Sequence, residues 1–233
     1  MGEGELQRLI SELLRPLLAR FLAERGVAAH VGADQFLYFK EGDPTQRVAP
    51  DVYVLPGVLQ SRIAPSWKLW EIGVAPSFCF ETVSSDVVKD YEDTPALLGG
   101  LGTRELIVFD PEASGRRSRV RWQVFRARAS GFQLVERSDA DRVRSVQLGC
   151  FLRVVGKGAE QRVRIATGPK GEVLYPTMEE IADAERAEKE HERAEKERER
   201  AEKERERAAR VELEARVAEL EAAAKARSRR KRP

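Results

Sequence analysis

The residues best placed to do chemistry are two carboxylates in short apolar runs. Asp51 lies in Val48-Ala49-Pro50-Asp51-Val52-Tyr53-Val54, where Pro50 fixes its own φ and removes a donor just ahead of a β-rich stretch. Glu81 lies in Pro76-Ser77-Phe78-Cys79-Phe80-Glu81-Thr82-Val83-Ser84, another apolar run opened by proline. A third run, Arg104-Glu105-Leu106-Ile107-Val108-Phe109-Asp110-Pro111, follows a glycine-rich break. Three runs that each carry an acid at or near an end point to acids gathered at one edge of a sheet. Divalent-cation sites are assembled in this way, because Mg²⁺ takes hard oxygen ligands brought from separate strands. The competing reading is that Asp51 and Glu81 are ordinary strand-end or turn residues, and composition alone does not separate the two.

A longer string does. Arg47-Val48-Ala49-Pro50-Asp51-Val52, Trp70-Glu71-Ile72-Gly73 leading to Pro76, Phe80-Glu81-Thr82-Val83-Ser84, Lys89-Asp90, and Leu101-Gly102-Thr103-Arg104-Glu105-Leu106 closing on Phe109-Asp110-Pro111 follow one another in register over about a third of the chain. In order and spacing they resemble the Uma-two-type restriction endonuclease family, a branch of the PD-(D/E)XK nuclease superfamily. The resemblance implies an α/β, restriction-endonuclease-like core with a mixed central sheet flanked by helices. It also implies a metal-dependent phosphodiesterase site on Asp51 and Glu81, with Mg²⁺ or Mn²⁺ as cofactor and DNA as substrate. The parent superfamily places a lysine two positions after the second acid, on the same strand face. Val83 occupies that seat. The family's downstream lysine and the tyrosine after it would fall at Thr94 and Leu98, so both seats depart from the pattern.

Lys89 is the cation nearest in sequence to both carboxylates and is the candidate for the missing lysine, with Asp90 as a supporting acid. Thr94-Pro95 reads as an N-cap followed by proline at the first helical position, which leaves residues 84–93 as a loop or separate turn carrying Lys89. The rival, favoured by Val83, Thr94 and Leu98, is a catalytically degenerate module that binds nucleic acid or protein through its helical tail.

The positioning elements can be read from patterning. Leu6, Leu9, Ile10, Leu13, Leu14, Leu17, Leu18, Phe21 and Leu22 recur at helical steps over residues 4–25, with a kink or local break near Leu14 expected from Pro16 and a stop at Gly26. This helix is expected to pack on its own domain's sheet. Short strands are expected over residues 27–31, 36–40, 149–155 and 162–166, with a hairpin over 122–127 and 131–135. Trp67 and Trp70 read as packing beside the site, with base stacking as the alternative, and His30 as a packed residue rather than a general base. The arginines at 116, 117, 119, 121 and 126 either track a phosphate backbone or form the solvated face of the hairpin.

Composition places a boundary near Thr177. The chain is 42% hydrophobic and 34% charged, but the charge is concentrated after Glu179. Residues 1–176 have ordinary globular composition, whereas 177–233 read as a charged helix opened by the capping box Thr177-Met178-Glu179-Glu180. Alanine returns every seventh residue from Ala187 to Ala222, too thin a stripe for a strong coiled coil. Leu213, Val217, Leu220 and Ala224 form a short seam that admits self-association without specifying it, and the globular domain leaves homo-oligomerisation equally open. A basic cluster (Arg227, Arg229, Arg230, Lys231 and Arg232) ends the chain, suited to nucleic acid or an acidic protein. The net charge of +2, from 41 basic and 39 acidic residues, does not itself announce nucleic-acid binding. Cys79 and Cys150 stand in separate apolar runs without CxxC spacing and read as buried reduced thiols. With no apolar stretch near ~20 residues and no leader-like N-terminus, the expected setting is cytoplasmic, away from membranes.

Overall fold

The apolar stripe at the N-terminus becomes helix α1 (Glu5–Glu24), which buries Ile10, Leu14, Leu17, Leu18, Phe21 and Leu22. The computed structural model describes residues 4–113 and 119–229. Of the kink or local break expected near Leu14, the break does not occur: the helix is continuous through Leu14 and Pro16. Pro16 lies on the exposed side, where water can meet the carbonyl its missing N–H leaves free, while Leu14, Leu17 and Leu18 hold the turn against the core. Gly26, at φ +70°, ends the helix as expected, its N–H reaching the Ala23 carbonyl.

After α1 come strands β1 (Ala29–Gly32), β2 (Leu37–Tyr38), β3 (Arg47–Val48), β4 (Val52–Pro56) and β5 (Trp67–Lys68), then the single turn α2 (Leu69–Ile72) and β6 (Phe78–Thr82). A π-helical turn (Lys89–Asp93) runs into α3 (Thr94–Gly100). The remaining strands are β7 (Glu105–Phe109), β8 (Trp122–Arg128), β9 (Gly131–Ser138), β10 (Arg142–Ser145), β11 (Cys150–Val155), β12 (Arg162–Thr167) and β13 (Val173–Leu174). Helix α4 (Met178–Arg229) follows.

The architecture is mixed α/β. The central sheet has the order β1-β4-β6-β7-β8-β9, antiparallel except for the parallel pair β6–β7. That parallel pair is joined through α3, as a parallel pair must be joined by a crossover. A four-stranded sheet β10-β11-β12-β13 and a three-stranded sheet β3-β2-β5 complete the strands.

Alternation along the central strands sends residues to two separate cores. Val52, Val54, Phe78, Phe80, Ile107 and Phe109 pack with α1 and with Leu152 and Ile165 of the four-stranded sheet. Tyr53, Leu55, Cys79, Leu106 and Val108 pack on the opposite face with Leu37, Trp67 and Leu98. Being buried on both faces explains why β6 and β7 read as continuous apolar runs rather than alternating ones. Each fully buried Leu or Phe contributes ~1.5–3 kcal/mol, so these layers fix the strand ends rigidly. Cys79 and Cys150 are both buried free thiols.

The chain divides into two units, Met1–Tyr175 and Pro176–Pro233. In the second, the capping box forms reciprocally. Glu180 N–H donates to Thr177 Oγ1 at 3.1 Å, and Thr177 N–H donates to the Glu180 carboxylate at 2.8 Å. Ion pairs such as Glu185–Lys189, Glu192–Lys196 and Glu199–Lys203 then repeat four residues apart. Each contributes only ~0.2–0.5 kcal/mol, but together they support a helix that buries almost nothing. Val211, Leu213, Val217 and Leu220 are all exposed. Deleting residues 190–233 should therefore leave the melting temperature of the first unit within about 2 °C of the intact chain, read by circular dichroism or calorimetry. A larger fall would place tail residues in the core. No helix among the described residues is long and apolar enough to cross a membrane.

Candidate active site

Strands β4 and β6 pair antiparallel with Val52 opposite Phe80 and Tyr53 opposite Cys79. Carried one step further, the register sets Asp51 opposite Glu81. Both lie on the side that carries Tyr53 and Cys79, since alternate residues share a face. Asp51 is 2% and Glu81 7% exposed. The Asp51 carboxylate is held by two donors at 2.6 Å: the Thr82 N–H on Oδ2 and the Gln7 side-chain amide on Oδ1. Glu81 differs, for its carboxylate accepts no hydrogen bond from a described residue. The two acids and Lys89 line one cleft of about 320 Å³, together with Gln7, Asp34, Ser84 and Asp90.

The cleft is short of positive charge. Asp34, Asp51, Glu81, Asp86 and Asp90 line it, and Lys89 is the sole cation among its described lining residues. Burial pushes the Asp51 carboxyl up to about 7, against the opposing pull of its bonds from Gln7 and Thr82. Burial also drives Glu81 well above the usual carboxylate range; the neighbouring Asp51 and Asp90 charges add to this, while Lys89 opposes it. Among the described residues, no group of three or more His, Cys, Asp or Glu side chains is gathered to hold a metal ion. Two opposed carboxylates, one of them buried without a hydrogen-bond donor among the described residues, do suit Mg²⁺. That ion commonly takes one or two protein carboxylates and completes its shell with water.

Lys89 is positioned differently from the expectation. Residues 87–100 form one helix whose middle turn, Lys89–Asp93, is π-helical, so Lys89 is not on a loop. Thr94 is not its N-cap; it has helical φ and ψ of −63° and −45°. Asp86 caps instead, its Oδ1 accepting the Lys89 N–H at 3.2 Å. The wide turn places an extra residue ahead of Pro95, whose ring would otherwise meet a carbonyl of the preceding turn. Asp90 is buried and accepts both the N–H and the hydroxyl of Ser84, at 2.6 and 2.8 Å, which ties the end of β6 to this helix. Its carboxylate also lines the cleft. Val83 and Leu98 are core residues, packed with Cys79 and Leu106, and Thr94 is buried.

The acid that ends the third run does not join the cleft. Asp110 receives both Nε and Nη2 of Arg119 at 2.6 Å and the Tyr91 hydroxyl at 2.6 Å, a closed buried arrangement. Glu105, at the other end of β7, is wholly buried and takes Arg126 Nε at 2.7 Å, the Ser145 hydroxyl and two backbone N–H groups. Arg119, Arg126 and Arg121, the last bonded to Asp139 and Ala140, are thus engaged within the protein. Arg116, Arg117, Arg230, Lys231 and Arg232 lie outside the described residues. His30 packs against the Trp67 ring at 4.8 Å and does not line the carboxylate cleft.

Gln7, Asp34, Ser85 and Asp86 are cleft residues that the sequence pattern did not single out. Gln7 is a polar position among the apolar steps of α1, a signal too common to single out. Asp34 follows β1 at φ +53°, the one described non-glycine residue in left-handed backbone, and no pattern of letters announces that conformation.

Comparison with models of known protein families and with curated proteins finds no match. Among solved structures, the fold is similar to the crystal structure of a "putative nuclease belonging to DUF820" from Anabaena variabilis. The two share 18% identity at a TM-score of 0.43, over 64% of this chain and 76% of the other.

Proposed function

We propose that this protein is a metal-dependent endonuclease that hydrolyses DNA phosphodiester bonds in the Asp51–Glu81 cleft. The observation that carries this reading is the register of β4 on β6, which sets two buried carboxylates opposite one another beside Lys89. The resemblance of the surrounding segments to a nuclease family supports the same chemistry. An acidic cleft would repel a phosphodiester unless cations offset its charge, so the site calls for a bound metal as well as Lys89.

Asp51 and Glu81 would hold Mg²⁺ or Mn²⁺, which when bound lowers the pKa of an attacking water and polarises the phosphate. The Gln7 amide and Thr82 N–H fix the Asp51 carboxylate in one orientation. Lys89 is exposed at the rim, and its ammonium is free to meet the negative charge that builds on the phosphate oxygens. Asp90, through Ser84, holds the end of β6 against the helix that carries Lys89.

A degenerate binding module is the second reading, favoured by the burial of Val83, Thr94 and Leu98 in the seats where a nuclease lysine and tyrosine would stand. Plasmid nicking in Mg²⁺ or Mn²⁺ decides between them. Activity in the wild type that is lost in Asp51→Ala and in Glu81→Ala, both folded, supports the enzyme. Absence of cleavage by the wild type across metals and DNA forms supports the module.

A further inference from the structure

The three-stranded sheet turns one face to the core and the other to solvent. Leu37 of β2 is paired with Trp67 of β5, and both are buried. The next residue along β2, Tyr38, is paired with Arg47 of β3 and with Lys68 of β5, so these three side chains share the outer face. Phe36, two positions before Tyr38, falls on that face and is 43% exposed. Its ring lies 6.1 Å from that of Tyr38, centroid to centroid. The Arg47 guanidinium stands 4.4 Å from the Phe36 centroid and 6.0 Å from that of Tyr38. Beside Tyr38, a hollow of about 440 Å³ is walled by Trp70.

Core packing does not require these rings outside, since Leu37 and Trp67 already fill the inner side. Lys40 and Lys68 are tied to Asp43 and Glu71, whereas Arg47 forms no ion pair among the described residues. Arg47 stands over one side of Phe36 and donates to the Tyr38 hydroxyl at 3.3 Å, which leaves the rest of Phe36 and part of Tyr38 to solvent. A nearly charge-balanced face with partly exposed rings is poorly suited to grip a duplex by its phosphates but suited to stack unpaired bases. The face also leads to the cleft: Ala49, two residues past Arg47, is one of its walls.

We infer that this outer face binds single-stranded DNA, stacking bases on Phe36 and Tyr38 with Arg47 as the adjoining cation. The choice of DNA as ligand rests on the nuclease reading; the stacking surface itself does not.

The test is fluorescence anisotropy of a labelled oligothymidylate of about 12 nucleotides with the full chain in EDTA, where nothing is cleaved. Wild type should bind, and Phe36→Ala or Tyr38→Ala should each weaken binding about 5- to 100-fold with the melting temperature unchanged. Phe36→Tyr should restore binding, and an abasic oligonucleotide of equal length should bind the wild type no better than it binds the ring variants. Failure of the wild type to bind, unchanged binding by the ring variants, or equal binding of the abasic strand would overturn the inference. Binding through the rings without any nicking would leave the platform standing and remove the nuclease reading. Nicking with ring-independent binding would do the reverse.

Discussion

If the protein is the nuclease proposed, Lys89→Ala should lower Mn²⁺-dependent nicking by about 10²- to 10³-fold while leaving metal affinity largely intact, because in that proposal the side chain serves the phosphate and not the ion. Among the described residues its ammonium is the one cation lining a cleft with five carboxylates, so no described neighbour there can take over its charge. The π-helical turn matters to this expectation. It gives Lys89 a fixed backbone, anchored by the Asp86 cap, and leaves only the flexible side chain to move. Lys89→Arg should recover part of the activity, whereas Lys89→Met, similar in length but uncharged, should not. Metal affinity can be followed by calorimetry alongside nicking. Wild-type cleavage by Lys89→Ala would assign the role to another cation. Loss of metal binding together with activity would show that the substitution disturbs the carboxylates themselves.

In metal-free buffer the fold should be markedly more stable near pH 5 than near pH 8. Asp51 titrates at about 7 in the folded chain against 3.8 for the ordinary carboxyl. Below about pH 4 both folded and unfolded chains carry the proton, and the site costs nothing. Between about 4 and 7 the unfolded chain releases the proton and the folded one keeps it, so stability falls as pH rises, by up to about 4 kcal/mol across the window. For a unit of this size that is roughly 10 °C in melting temperature. The raised Glu81 carboxyl acts in the same direction. Asp51→Asn should remove the Asp51 part of this slope, leaving the part due to Glu81, and melt higher than wild type at pH 8. Its amide can still accept the Thr82 N–H, and Gln7 can reverse its own amide to match. Adding Mg²⁺ at pH 8 should raise the wild-type melting temperature and not that of Asp51→Asn. A flat pH profile for the wild type in EDTA would show that the carboxylates are not held in the dry, mutually repelling state described, and the case for a metal would weaken with it.

Sequence by itself determined what depends on neighbours a few residues apart. The apolar steps of α1 gave the helix and its buried side, Gly26 its end, and the Thr177–Glu180 pair the start of α4. The same holds for the β8–β9 hairpin and for the runs that became β4, β6 and β7, because strand and helix periods are written locally. Local pattern also misled where two local rules competed. Thr94-Pro95 has the letters of a helix start, yet burial of Thr94, Pro95 and Leu98 against the sheet favoured a helix that begins earlier and absorbs the proline in a π turn.

Only the tertiary structure decided which acids share a site. Asp110 and Glu81 end parallel neighbouring strands and look alike as letters. Asp110 is claimed by Arg119 and Tyr91, whereas Glu81 receives no hydrogen bond from a described residue. Gln7 reaches Asp51 from 44 residues away, and Asp34 joins the cleft through a backbone conformation that its letter does not specify. Such partners are chosen by strand register and by the packing of α1. Register depends on contacts summed over the whole sheet, so no window of a few residues contains it.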